Sequence, residues 1–244
     1  MNQPNLITLP ADRQERWDQI RAFIAEWHRP LGENDGIPSA ELDAAEQRMG
    51  CRIPAALREW YQMAGRRGDL TRMQNYLLAP DELACEPDDE VVIFYAENQW
   101  VVGWGIRRED WDLDDPPVVM SWLGDSDWID DSCSVSEFVF QALIMETQDI
   151  MRFSDYAHCT DATLNIVEQH FLRFDFADWH WPLHPTRFFR SADALVVTMG
   201  PDQHARYYRG PEVFITAKSR DELLRVAELL EVNLEARSWE EEPE

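Results

Sequence analysis

The sequence predicts an α+β fold in which N-terminal helices pack on a mainly antiparallel β-sheet. Apolar residues first recur with helical spacing, then give way to short β-branched and aromatic runs, and an apolar helix follows these runs. The chain has 244 residues with 45% hydrophobic content, enough to bury a core in one large domain or two small ones.

Three helices are predicted in the first quarter of the chain. The first covers residues 12–27, where large apolar side chains recur at spacings of three and four. A second helix has Ser39 as its candidate N-cap and Gly50 as its C-terminal stop. Pro54 suits the first turn of a third helix, which Gly65 ends.

Short apolar runs then predict an antiparallel sheet at residues 76–78, 91–96, 100–106 and 118–123. The polar connector Glu97-Asn98-Gln99 predicts a hairpin between the second and third runs. Gly103 and Gly105 indicate a bulge or a close backbone approach. Ser134-x-x-Glu137 matches a capping box before an apolar helix that would cover the sheet.

The last part of the chain predicts a helix near Val167, a Trp/Pro-rich connection, strands near residues 194–199 and 213–216, and a closing helix after Ser219. Neither a repeat nor a flexible linker is visible. We therefore expect a domain over residues 1–150 and a C-terminal α/β extension over residues 151–244, packed on it.

The charge is strongly acidic. Twenty-two basic and 47 acidic residues give a net charge of −25 and a sequence pI near 4.4. Such a chain repels nucleic acid and anionic membranes and favours a basic partner. Apolar runs fall short of the roughly 20 residues of a membrane span, and the first residues lack the order of a secretory signal. Together with four widely spaced cysteines, this leads us to expect a cytoplasmic protein with reduced thiols.

A stretch of nine acids without a base lies between Glu109 and Asp131, and tryptophans are interleaved with the acids. A solvated face explains acids alone, whereas large aromatics among charges are typical of an interface. Trp100 and Trp104 share one predicted sheet face, so either both are buried or both line an open concavity. The candidate partner-binding residues are Glu97, Gln99, Trp100, Trp104, Trp111, Asp112, Asp114, Asp115, Trp122, Asp125, Asp127 and Trp128.

Residues 37–65 combine a helix ending at Met49-Gly50, the pair Ile53-Pro54, and a second helix that runs into a turn at Ala64-Gly65. This order resembles the N-terminal signature of the SUKH superfamily, which includes fungal Smi/Knr-type cell-wall regulators and many bacterial immunity proteins. Family members usually carry Asn-Gly at the turn, where this chain has Ala64-Gly65 followed by Arg66-Arg67.

Later segments are also similar to bacterial members of this family. FYAENQWVVGWGI at 94–106, DDPPVVMSW at 114–122 and SVSEFVFQALIMET at 134–147 resemble their later strands and closing helix, and WHWPLHPTRFF at 179–189 resembles an extension of longer members. The resemblance implies an α+β fold without catalytic residues. It most often implies an immunity protein that binds and neutralises a cognate polymorphic toxin, such as a basic nuclease. The eukaryotic relatives suggest an alternative, a regulatory adaptor in cell-envelope assembly or signalling.

Catalytic and metal motifs give no strong signal. The best metal candidates are His158, His170, His180 and His184, but Pro182 interrupts the helical spacing of the last two. We favour structural histidines, and a metal-dependent hydrolase remains a third hypothesis. The sequence holds no GxSxG, HExxH, GxGxxG or Walker pattern. We therefore expect a non-enzymatic monomer or homodimer without a metal or cofactor.

Overall fold

The computed structural model describes residues 6–85, 90–122, 127–200 and 210–240, and its mixed helices and sheets confirm the predicted α+β class. The chain forms two compact units. We call Pro10–Glu146 the N-terminal unit, and Met1–Leu9 together with Thr147–Glu244 the C-terminal unit. Of the described residues, 6–9 are thus grouped with the end of the chain.

Within the described residues the α-helices are α1 (Arg13–Trp27), α2 (Ser39–Met49), α3 (Ala55–Ala64), α4 (Gly68–Thr71), α5 (Val135–Ile150), α6 (Asp161–His170) and α7 (Arg220–Leu229). The strands are β1 (Leu6–Ile7), β2 (Asn75–Leu77), β3 (Val91–Glu97), β4 (Val102–Arg107), β5 (Val118–Trp122), β6 (Ile129–Ser132), β7 (Phe153–His158), β8 (Leu172–Phe174), β9 (Thr186–Arg190), β10 (Ala194–Met199) and β11 (Glu212–Ala217). None of these helices is both long and apolar enough to cross a membrane.

The N-terminal unit contains a five-stranded antiparallel sheet whose spatial order, β2-β3-β4-β5-β6, follows the chain. Its core is aromatic. Trp60 of α3 and Phe138 of α5 make ring contacts with the β3 side chains Phe94 and Tyr95, at centroid distances of 5.3 to 6.4 Å. Trp104 of β4 joins the same cluster. The predicted packing of N-terminal helices on a mainly antiparallel sheet is therefore present.

Helix α1 begins where the sequence indicated. The Asp12 carboxylate accepts a hydrogen bond from the Glu15 backbone N–H at 3.0 Å, which satisfies one free donor of the first turn. The buried side of the helix holds the predicted stripe of Trp17, Ile20, Ile24 and Trp27, and Phe23 is buried beside it. The ring of Phe23 meets that of Phe140 edge-on at 5.3 Å, so α1 packs against α5.

The two glycines of β4 lie beside a bulge, as the sequence predicted. The pairing of β3 with β4 shifts register between Ile93 and Tyr95. A Cβ atom on Gly105 would lie 2.7 Å from the Val92 carbonyl oxygen, closer than real Cβ atoms approach. The backbone can therefore come this near only because residue 105 lacks a side chain.

A buried arginine, Arg67, follows helix α3. Arg67 is 3% exposed and donates both Nε and Nη2 to the Asp69 carboxylate at 2.7 Å, and Nη1 to Asp35 at 3.2 Å. Hydrogen bonds from Arg29 hold the pKa of Asp35 well below its ordinary value. Arg67, at the turn where this chain departs from the family's usual residues, thus has charged partners on both sides.

The hydroxyls of Ser134 and Ser219 cap the helices that the sequence predicted after them. The Ser134 hydroxyl accepts from the Glu137 N–H at 3.2 Å, and Ser219 accepts from the Glu222 N–H at the same distance. The return bond differs at α5, where the Glu137 carboxylate accepts from the Cys133 N–H at 3.4 Å. Both helices therefore begin at the positions that the pattern indicated.

The C-terminal unit contains a six-stranded sheet of order β1-β8-β9-β10-β11-β7, antiparallel apart from the β1–β8 pair. Helices α6 and α7 bury their apolar sides against it, through residues such as Val167 and Val226. The sequence indicated β10, β11 and α7 but not β1, β7, β8 and β9. These four strands are short or rich in polar residues, and β1 has only two residues.

A buried carboxylate joins the last residues of the C-terminal unit to β7. Asp155 is 4% exposed and accepts from the backbone N–H groups of Ala236 and Arg237 and from the Trp239 indole, all at 2.8 to 2.9 Å. Burial alone would raise the pKa of Asp155, but these donors outweigh it and hold the pKa below its ordinary value.

We predict that Gly36→Ala lowers the free energy of unfolding by about 2 kcal/mol or more, because a Cβ there would overlap the Gln62 carbonyl and lie 3.2 Å from the Gln62 Cα. Gly68→Ala is the matched control, since its Cβ would meet no atom within 4 Å. Urea unfolding of both variants measures the effect. Equal stability of the two variants would contradict this packing.

Candidate partner-binding site

Exposed apolar side chains gather at one end of the five-stranded sheet. The β3–β4 turn lies at this end, and the register brings the start of β2 (Asn75 opposite Glu97) and the end of β5 (Trp122 opposite Val102) to it. We define the hairpin tip as four exposed apolar residues that the structure describes here, with their exposed fractions: Met73 (45%), Trp100 (51%), Val101 (44%) and Trp122 (49%). Fractions near one half mark these side chains as available for contact.

The conformation of the turn is what exposes Trp100. Its φ is +58°, in the left-handed region that non-glycine residues rarely adopt, and its N–H donates to the Glu97 carbonyl at 2.8 Å. The Glu97 carboxylate is buried and accepts from the Gln99 N–H at 2.7 Å. Of these three predicted site residues, Glu97 shapes the turn, and Gln99 and Trp100 are exposed on it.

The expectation that Trp100 and Trp104 share one environment is wrong. Trp100 lies in the turn, outside β4, whereas Trp104 is inside β4 and fully buried. The Trp104 indole donates to the Asp131 carboxylate at 3.0 Å, and its rings pack on Tyr95 and Phe138. Alternation along a strand does not extend through a turn, so the shared-face argument fails here. Trp104 belongs to the core and not to an exposed surface.

The residues between β4 and β5 lie at the opposite end of the sheet. Trp111 is 5% exposed and donates its indole N–H to the Arg52 carbonyl at 2.5 Å, so it too is a core residue. Asp112 is exposed, and the Asp114 side chain is 81% exposed while it pairs with Arg13 at 3.2 Å. The predicted role of Trp111 as a surface contact is therefore wrong.

Asp115 holds the beginning of α5 in place. One carboxylate oxygen accepts from the Ser136 N–H at 3.0 Å, and the other accepts from the Ser136 hydroxyl at 2.6 Å and from Arg16 at 2.8 Å. The side chain is only 10% exposed. Although the sequence placed Asp115 among the partner-binding residues, its lone pairs are used inside the unit, at the positive end of a helix.

The predicted site is thus divided between two ends of one sheet. Strand β4 has six residues, so its ends lie roughly 17 Å apart at about 3.3 Å per residue. Asp127 is exposed and Trp128 is half-buried, and both precede β6 on the side of the hairpin tip. Asp125 lies outside the described residues. Of the predicted set, Glu97, Gln99, Trp100, Trp122, Asp127 and Trp128 are near the tip, and Glu97 among them is buried.

A buried carboxylate that the sequence interpretation missed lies beneath the tip. Glu146 is fully buried and accepts from the backbone N–H groups of Met73, Gln74 and Asn75 at 2.8 to 3.1 Å, and from the Tyr95 hydroxyl at 3.1 Å. Burial outweighs these donors and raises the pKa of Glu146 to about 6. An acid within the apolar run FVFQALIME was the available signal, since such a position requires hydrogen-bond partners.

The four histidines that the sequence offered as metal candidates do not converge on a metal site. Over the ranges that the structure describes, no three His, Cys, Asp or Glu residues are arranged to hold a metal ion. His180 and His184 stack ring on ring, with centroids 4.2 Å apart.

A cavity of about 510 Å³ in the C-terminal unit is lined by Tyr156, His158, Gly210, Glu212 and Phe214. His158 and Glu212 pair there at 3.5 Å. The neighbouring thiol of Cys159 has its pKa raised to about 11, by burial first and then by Glu212 and Asp161. A neutral thiol is a poor nucleophile, so this thiol is unsuited to Cys–His catalysis.

Comparisons with known proteins find no matching family model, no matching curated protein and no matching solved structure.

We predict that Asp115→Ala destabilises the N-terminal unit by about 2–3 kcal/mol, because it removes a helix-capping acceptor and leaves Arg16 without its partner. The control Asp112→Ala removes the same charge from an exposed position and should change stability by less than about 0.5 kcal/mol. Urea titration followed by tryptophan fluorescence measures both. A mild effect of Asp115→Ala would show that this carboxylate does not anchor α5.

The raised pKa of Glu146 predicts a pH dependence of stability. Because the folded-state pKa of about 6 exceeds the ordinary 4.5, the stabilising contribution is full below pH 4.5 and is lost as pH rises through 6. From pH 5 to 7.5 we expect the wild type to lose roughly 1 kcal/mol relative to Glu146→Gln, which cannot titrate. The Gln variant is less stable at every pH, because an amide nitrogen would face backbone donors. Parallel pH profiles for the two proteins would rule out this titration.

Proposed function

We propose that this chain is a non-enzymatic binding protein that uses the hairpin tip to bind and neutralise a basic partner protein. The observation that carries the proposal is the pair of half-exposed tryptophans, Trp100 and Trp122, beside Val101 and Met73. Single exposed apolar residues are ordinary on a protein surface, but two indoles grouped with two further apolar side chains are typical of a contact surface.

Burial of the tip by a partner would contribute substantially to affinity. The exposed half of an indole is on the order of 100 Å², and its burial is worth about 2–3 kcal/mol. Tryptophan is also rigid, so it loses little side-chain entropy on binding. Trp100 and Trp122 are therefore the side chains expected to dominate the binding energy.

The net charge of −25 supports a basic partner. Long-range attraction between oppositely charged proteins accelerates association, and salt screens it. Near the tip Asp127 is exposed, and at the far end of the sheet Asp112 and Asp114 are exposed. We propose that the acidic surface as a whole attracts the partner over long range, and that the tip makes the short-range contacts.

The resemblance to SUKH immunity proteins suggests the class of partner. A nuclease toxin has a basic cleft for its polyanionic substrate, and an acidic inhibitor is attracted to such a cleft. We therefore propose a cognate polymorphic toxin, such as a basic nuclease, as the partner. The free state of Cys51, Cys85, Cys133 and Cys159 is consistent with the cytoplasm, where a toxin would act on its producer. The alternative of a cell-envelope or signalling adaptor would use the same tip.

The direct test is co-expression with the toxin-like product of a neighbouring gene, scoring both growth rescue and a co-purifying complex. Rescue together with a stable complex supports the proposal. A producer without any such toxin, together with an envelope phenotype on deletion of this chain, would favour the adaptor. Self-association through the tip would appear as a dimer that Trp100→Ala dissociates.

We predict that Trp100→Ala and Trp122→Ala each weaken partner binding by roughly 10- to 100-fold, mainly through faster dissociation. The matched control is Leu113→Ala, whose side chain is 50% exposed at the opposite end of the same sheet and should leave affinity unchanged. Surface plasmon resonance against the purified toxin measures the rates. A loss of affinity in the Leu113 variant alone would place the contact at the other end.

A further inference from the structure

Two cysteines that are distant in the sequence meet in the N-terminal unit. Cys51 lies between α2 and α3, and Cys85 lies 34 positions later, after β2. Both are free thiols. One short segment contacts both places: Arg108 donates to the Cys85 sulfur at 2.7 Å, and Trp111, whose N–H donates to the Arg108 carbonyl, donates its indole N–H to the carbonyl of Arg52, the residue after Cys51. Cys85 is 9% exposed and Cys51 is half-buried, so the pair lies just below the surface.

A cation points at one sulfur of the pair. Arg108, exposed at the end of β4, donates Nη1 to the Cys85 sulfur at 2.7 Å. An electropositive and partly accessible environment is what distinguishes reactive cysteines from inert buried ones. The two sulfurs are not equivalent: burial, followed by the neighbouring Cys85 side chain, raises the pKa of Cys51 to about 11. We therefore expect an oxidant to react first with the Cys85 sulfur. The Cys51 sulfur would then attack the oxidised Cys85.

We propose that Cys51 and Cys85 form a disulfide when the protein meets hydrogen peroxide, which makes them an oxidant-sensitive thiol pair. This inference does not depend on the proposed partner or on the hairpin tip. In a reducing compartment a pair of this kind stays as thiols and forms its bond only under oxidative conditions, as redox-sensing cysteines do.

Hydrogen peroxide would form the disulfide in two steps. The Cys85 sulfur attacks one peroxide oxygen, the O–O bond breaks, and the thiol proton leaves with the other oxygen as water, which gives a sulfenic acid. The Cys51 sulfur then attacks the Cys85 sulfur, the S–OH bond breaks, and the released hydroxide takes the Cys51 proton and leaves as water. Two thiols lose two electrons, and one peroxide becomes two waters.

The disulfide would covalently connect the α2–α3 turn to the chain after β2 and enclose all of α3. Closure of a loop of this length restricts the unfolded chain, so the oxidised protein should melt roughly 5–10 °C higher than the reduced protein.

The test uses the purified full chain treated with hydrogen peroxide, blocked with N-ethylmaleimide and digested with trypsin. The expected product joins the tryptic peptides 49–52 and 73–107, with a mass lower by two hydrogens than the sum of the separate peptides. A Cys133→Ser/Cys159→Ser double variant removes the exposed Cys133 and the half-buried Cys159, and it should form the same linked peptide. The proposal is overturned if Cys51 and Cys85 stay alkylatable at a peroxide concentration that oxidises Cys133 in the wild type.

Two further variants test the assigned roles. Cys51→Ser should leave Cys85 as a sulfenic acid that dimedone traps. Arg108→Gln should slow disulfide formation on the order of tenfold, whereas Arg107→Gln makes the same charge change at a neighbour that pairs with Glu90 and Asp130 and should leave the rate unchanged. Equal slowing in both arginine variants would reject the role of Arg108, and disulfide formation in Cys51→Ser through another cysteine would reject the pair.

Discussion

The N-terminal unit depends on two carboxylates that fix helix α5. Asp115 accepts from the first turn of the helix at Ser136 and pairs with Arg16 of α1, while Glu146 lies near the other end and accepts three consecutive backbone N–H groups before and at β2. Phe138, between these two anchors, is the ring on which β3 and β4 pack. The position of α5 therefore sets the position of the sheet, and with it the geometry of the hairpin tip.

Some of the acidic side chains stabilise the interior of the fold and do not belong to the charged surface. Asp35 and Asp155 are nearly buried and are held by arginine or backbone donors, and Asp178 pairs with Arg187 at 2.7 Å. Carboxylates in such positions accept several hydrogen bonds at once, which suits them to join loops that have no regular pairing of their own. The same residue type therefore performs two tasks, and only burial distinguishes them.

The two proposals place different chemistry on the N-terminal unit. The hairpin tip offers apolar area at one end of the five-stranded sheet, and the thiol pair with Arg108 lies where β4 ends, toward the other. The first would provide affinity for a partner, and the second would respond to the redox state. Because the strands between them pack through Phe138 and Trp60, both sites have a rigid support.

The sequence by itself determined the fold class, the bounds of α1 and α3 to within a residue or two, and the β3–β4 hairpin, because helical periodicity, caps and polar connectors are local signals. It also identified Trp100 and Trp122 as site candidates. Only the tertiary structure decided that Trp104 and Trp111 are buried, that Asp115 anchors α5, and that Leu6 and Ile7 pair with β8. Strand pairing brings together residues that are far apart in sequence and separates neighbours across a turn, and no local pattern encodes that arrangement.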